Sequence, residues 1–130
     1  MEKIIKEWVK IAKYDLQTAK AMQEKGRYLY VLFMCQQSIE KILKAIYIQK
    51  KKELAPRTHN LTYLCDVLNL AIEETDKEFL AQLNQFYLIS RYPGQQKEFE
   101  KAINKHKAQI YYKKTKEIFQ WLEHTIQFKK

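Results

Sequence analysis

The stretch from about Arg27 to about Gln49 constrains the chain more than any other, because at helical spacing it is apolar on two sides. Leu32, Cys35, Ile39, Ile42, Leu43 and Ile46 fall on one arc, an ordinary core-facing stripe. Tyr30, Phe33, Gln37, Lys44 and Ile48 recur on the opposite side, where a surface helix shows solvated charge alone. Such a helix is the central one of its fold, or its second face meets a partner chain. Gln37 and Lys44 stand nearly in line with Glu40 close beside them, and once that face is covered these groups need partners.

Only two Gly and two Pro in 130 residues argue for an all-α chain with few tight turns, read here as one domain over 1–130. A hydrophobic share of 46% with 13% aromatics is enough to build a core despite 30% charge. Cys35 and Cys65 both sit on apolar arcs, with no Cys-x-x-Cys spacing and no cluster with His, so they read as reduced core thiols. No metal site and no cofactor is expected. Met1 to Ile11 mixes Glu2 and Glu7 with lysines and has no long apolar run, which predicts neither signal peptide nor membrane span and a cytoplasmic location by default. The formal charge of +9 suits an acidic partner such as nucleic acid or nucleotide phosphate, but equally a solvated lysine-rich surface. Arg27, Arg57 and Arg91 stand out among the lysines, because the guanidinium fork fits phosphate or carboxylate.

In chain order, the first helix is expected from about Lys3 to about Glu24, with Trp8, Ala12, Leu16 and Ala19 on one face and Asp15 inside that arc. Lys25-Gly26-Arg27 is the one plausible tight turn, since Gly26 can take the left-handed conformation that ends a helix. Pro56 makes the following segment a loop, after which Thr58 or Asn60 can cap a third helix carrying Leu61, Leu64, Cys65 and Leu68. His59 then sits at that helix's positive end. Thr75-x-x-Glu78 has capping-box spacing and opens a fourth helix, which runs with Phe79, Leu80, Leu83, Phe86 and Tyr87 towards Ser90, Arg91 and a stop at Pro93-Gly94. One last helix is expected from about Glu98 to about Phe128, with Phe99, Ile103, His106, Ile110 and Trp121 on one line and Ala108, Tyr112, Phe119 and Ile126 on a second.

Trp8, Ala12-x-x-Asp15-Leu16-x-x-Ala19, Gln36-Gln37-x-x-Glu40-Lys41-x-x-Lys44-Ala45, Pro56-x-Thr58-His59-x-Leu61 and Tyr87-x-x-x-Arg91-Tyr92-Pro93 together resemble the HEPN domain family of small prokaryotic helical proteins. The resemblance covers most of the chain. It implies a five-helix up-and-down bundle with a four-helix-bundle-like core and a homodimer. It also implies nucleotide binding, often beside a separately encoded minimal nucleotidyltransferase in a toxin–antitoxin-like setting, and in many members metal-independent cleavage of RNA. That cleavage is tied to an Arg followed four to six residues later by His. His59, His106 and His124 do not follow Arg27, Arg57 or Arg91 at that distance.

The residues alone offer a dispersed polar set, Asp15, Gln37, Lys44, His59 and Arg91, which converges on one cleft if the helices pack antiparallel. Tyr92, beside Arg91, joins these as a candidate ligand-binding residue. Arg91, Lys44 and the free amides after Thr58 would hold a phosphate, whereas an Asp15 that already pairs with Lys44 or Arg91 would close the cleft to anions. The expected function is a non-catalytic nucleotide-binding or nucleotidyltransferase-partner module. The alternatives are a ribonuclease in which His59 and Arg91 do the chemistry, with a nucleotide or RNA as ligand, and a purely structural dimerisation module. A homodimer is expected from the second apolar lines on the central and last helices.

Overall fold

Six helices, and no strands among the described residues, make up the computed structural model, which describes residues 1–89 and 92–126, with the backbone alone at Gln95. They are α1 (Glu2–Glu24), α2 (Tyr28–Lys51), α3 (Leu61–Val67), α4 (Glu74–Ile89), α5 (Pro93–Ala102) and α6 (Lys105–His124). The α1–α2 turn forms as its sequence dictates. Gly26 takes φ +73, the Arg27 amide bonds the Met22 carbonyl at 2.8 Å and the Gly26 amide bonds that of Gln23, which satisfies the last carbonyls of α1. Asn69 repeats the device after α3 with φ 50 and a bond from the Leu70 amide to the Cys65 carbonyl.

The helix with two apolar sides is the central one. α2 packs against all five other helices, and Leu32, Cys35, Ile39, Ile42, Leu43, Ala45, Ile46 and Ile48 are all buried along it. On its second face Lys44 and Ile48 are buried, Phe33 and Gln37 partly buried and Tyr30 exposed, so its own chain covers that face towards the C-terminal end of the helix and leaves the N-terminal end open. From α1, Ile5, Val9, Ala12 and Ala19 enter the same core, with Trp8, Leu16 and Met22 packed at its margin. Leu80, Leu83 and Phe86 come from α4, and Ala108, Ile118, Phe119 and Leu122 from α6.

Two expectations about helix boundaries are corrected. The long last helix is two, because the chain turns extended at Ile103 and Asn104 and the Asn104 side chain accepts from the Lys107 amide at 2.8 Å, a new N-cap that starts α6. The five expected helices are thus six, with Pro93 opening α5 at a position where its missing N–H costs nothing. The single apolar line drawn from Phe99 to Trp121 crosses that break, so Ile103 is buried while His106, Ile110 and Trp121 are exposed. Thr75 is no cap either. α4 starts before it, with the Glu73 carbonyl accepting from the Lys77 amide and Glu74 and Asp76 in the first turn, where carboxylates suit the positive helix end. The expected end of the last helix at Phe128 lies outside the described residues, as do Ser90 and Arg91. Among the described residues no helix is long and apolar enough to cross a membrane.

Candidate functional site

A buried polar ladder runs along α2 where an apolar helix would be simpler to pack. Gln36, Glu40 and Lys44 are spaced four residues apart, so their side chains stack on one face, and all three are buried. Burial obliges each to find a partner, since an unpaired charge or amide there costs several kcal/mol. Lys44 Nζ lies 3.1 Å from Glu40 Oε2 and 5.7 Å above the centroid of the Trp8 ring. Gln36 Nε2 donates to Glu40 Oε1 at 3.2 Å and to the His59 carbonyl at 2.9 Å, and Gln36 Oε1 accepts from Gln37 Nε2 at 2.7 Å.

His59 continues the ladder outward from the loop before α3. Its Nδ1 is 2.9 Å from Glu40 Oε1, and its Nε2 is 2.8 Å from the Tyr87 hydroxyl of α4. Because a carboxylate oxygen accepts, Nδ1 is the ring nitrogen that carries a proton towards Glu40. The Tyr87 ring also stacks on the imidazole at 3.8 Å and 18°, with Phe33 behind it at 6.4 Å. Beside the ladder, Asp15 of α1 takes Lys41 Nζ at 2.5 Å. Two carboxylates and two ammoniums thus neutralise one another within the bundle, and α1, α2, α4 and the loop before α3 are tied together.

Of the residues expected at a site, the structure brings Gln37, Lys44 and His59 into this one network. Asp15 lies beside it and binds Lys41; of its two expected partners, Lys44 pairs with Glu40 instead, and Arg91 is not among the described residues. The reason is register, since Glu40 stands one turn from Lys44 on the same helix. Tyr92 is 56% exposed and serves as the N-cap residue of α5. Arg91 lies outside the described residues. Arg27 and Arg57 are exposed.

Four of the amides around the start of α3 are taken. Asn60 N donates to Thr58 Oγ1, Leu61 N to Asn84 Oδ1 at 2.7 Å, Tyr63 N to Asn60 Oδ1 at 3.1 Å, and Leu64 N to the Asn60 carbonyl. Glu40, Gln36, Lys41, Tyr87 and Trp8 were not in the expected set. The four-residue spacing of Gln36, Glu40 and Lys44 on a helix otherwise apolar on two sides was the signal that could have found Glu40 and Gln36.

Among the described residues no group of three or more His, Cys, Asp or Glu side chains could hold a metal ion. The two cysteines are buried thiols. Burial pushes Cys35 up to about 12, opposed in part by the Thr115 hydroxyl, and Cys65 up to about 11, so both stay protonated in the folded protein.

The HEPN domain model matches residues 5–125. The fold is similar to that of TT1696 from Thermus thermophilus, at a TM-score of 0.80 and 19% identity over 94% of this chain and 98% of that one. It is also similar to ST0689, an archaeal HEPN homologue, at 0.74 and 23% over 95% and 98%, and to the HEPN domain protein tm0613 from Thermotoga maritima, at 0.70 and 21% over 92% and 96%. No curated protein matches. The family model spans nearly the whole chain, and the similar structures share its helical bundle from end to end: the chain belongs to the HEPN domain family.

Proposed function

We propose that the chain is a non-catalytic partner module, a homodimer that engages a separately encoded nucleotidyltransferase in the cytoplasm, and that its buried polar ladder braces the bundle instead of handling a substrate. The observation that carries this reading is the closure of the ladder: Lys44 and Lys41 are each held by a carboxylate, and both nitrogens of His59 are engaged. A phosphate would reach either lysine only by displacing a buried carboxylate, which costs more than a surface anion site returns. Nucleotide binding in this reading is left to Arg91 and the exposed Tyr92. The missing Arg-to-His spacing supports the absence of cleavage.

A second reading has one observation in its favour. The His59 side chain is 46% exposed while the Glu40 behind it is buried, so an imidazole oriented by a carboxylate and flanked by the Tyr87 hydroxyl faces outward. With Arg91 to hold phosphorane charge, it would cleave RNA without metal. Incubation of the purified chain with single-stranded and structured RNA, with and without divalent metal, separates the two. Intact RNA is expected, together with co-purification of a co-expressed nucleotidyltransferase. Cleavage that disappears in His59→Ala would establish the second reading instead.

A further inference from the structure

The geometry points to the outer face of α1 as a self-complementary seam on which a second copy of this chain packs antiparallel. This rests on the dimeric reading above and names the face that makes the dimer. Opposite its buried side, α1 carries Ile4, Glu7, Ile11, Tyr14, Thr18 and Ala21 at alternating intervals of three and four residues, the spacing that keeps one stripe facing a partner helix. Ile4 is 37%, Ile11 45% and Tyr14 68% exposed, which is unusual for three large apolar side chains in line. The surface beside them is formed by α1 alone, with Glu7, Lys10 and Gln17 flanking Ile11 and Tyr14. The Thr18 hydroxyl already donates to the Tyr14 carbonyl at 2.9 Å, so covering it strands no donor.

Charge selects the occupant and its direction. Parallel pairing sets Glu7 against Glu7 of the other copy. Antiparallel pairing sets Glu7 against Thr18, Ile11 against Tyr14 and Ile4 against Ala21, and the two-fold axis makes each contact twice. In that register the flanking Lys3 of each copy meets Glu24 of the other, and Lys10 meets Gln17, so the one acidic residue at the end of α1 falls opposite a lysine. Lys13 is turned away, held at 2.7 Å by Glu123 of α6. A partner of generic basic or acidic chemistry matches one end of this stripe; a second copy matches both.

Sedimentation velocity over a concentration series tests the seam. Wild type should dimerise, and Ile11→Glu/Tyr14→Glu should weaken the dimer about tenfold or more while leaving far-UV circular dichroism unchanged, because both side chains lie outside the core. Lys3→Glu should weaken it by placing carboxylates opposite one another, and Lys3→Glu/Glu24→Lys should restore it, a result that loss of folding cannot imitate. A dimer untouched by Ile11→Glu/Tyr14→Glu overturns the seam but leaves the dimeric partner module standing. A wild-type monomer at every concentration overturns both the seam and the dimer.

Discussion

Asp15 and Lys41 show how much an ion pair depends on which member can reach water. The Asp15 side chain is 7% exposed and that of Lys41 21%, so deleting either one leaves a different orphan. Lys41→Met strands a buried carboxylate and should cost about 3 kcal/mol, whereas Asp15→Asn leaves an ammonium that can swing outward and should cost about 1 kcal/mol. Urea unfolding of both variants checks the order, and equal or reversed losses would contradict it. The thiols predict a pH dependence. A group whose folded value lies above its unfolded one stabilises the fold fully below the unfolded value and loses that contribution as pH rises. Cys35 at about 12 and Cys65 at about 11, against an ordinary 9.0, therefore make stability fall above pH 9, by roughly a kcal/mol per pH unit for each thiol. Unfolding midpoints between pH 8 and pH 10.5 should drop less steeply in Cys35→Ala and Cys65→Ala than in wild type. At this scale the sequence showed that Lys44 and Asp15 needed partners but not which ones, because long side chains choose among neighbours only once the helices are packed.

Helix ends divide into those legible in the chain and those that are not. Gly26 announces the α1–α2 turn because only local conformation matters there, and Asn60 was one of two expected caps for α3. The break before α6 was hidden by an apolar pattern that continues across it, although Asn104 carried the capping side chain. Thr75 misled for the opposite reason: a capping spacing is cheap to meet by chance, and the carboxylates of Glu74 and Asp76 in the first turn decided the start. Thermal unfolding should accordingly find Asn104→Ala down by about 1 kcal/mol and Thr75→Ala within about 0.5 kcal/mol of wild type. Asn60→Ala should lose more than Asn104→Ala, since its side-chain oxygen also takes bonds from the Thr62 hydroxyl at 2.8 Å and from Asn84 Nδ2 at 3.0 Å. Lys52 closes α2 at φ 56, so Lys52→Gly should gain about 0.4–1 kcal/mol by relieving a side chain held in left-handed backbone.

For the whole molecule, one helix apolar on two sides organises the bundle, and the polar ladder on it joins α1, α4 and the loop before α3. That α2 would be central could be read from its two apolar faces; how far its own chain covers the second could not, because coverage depends on the placement of α4, α5 and α6. The candidate site was legible as a set of residue types at helical spacing. Its closure was not, since that follows from Glu40 reaching both Lys44 and His59 in three dimensions. The central claim is that this ladder is a brace and not an anion site. Chemical unfolding of wild type and Glu40→Gln, each with and without saturating ATP, tests it most directly. The account predicts that Glu40→Gln loses about 3 kcal/mol, because Lys44 is left buried without a counter-charge, and that any shift ATP produces is the same in both proteins. A Glu40→Gln midpoint equal to that of wild type without ATP, with ATP shifting the two midpoints by different amounts, would contradict it.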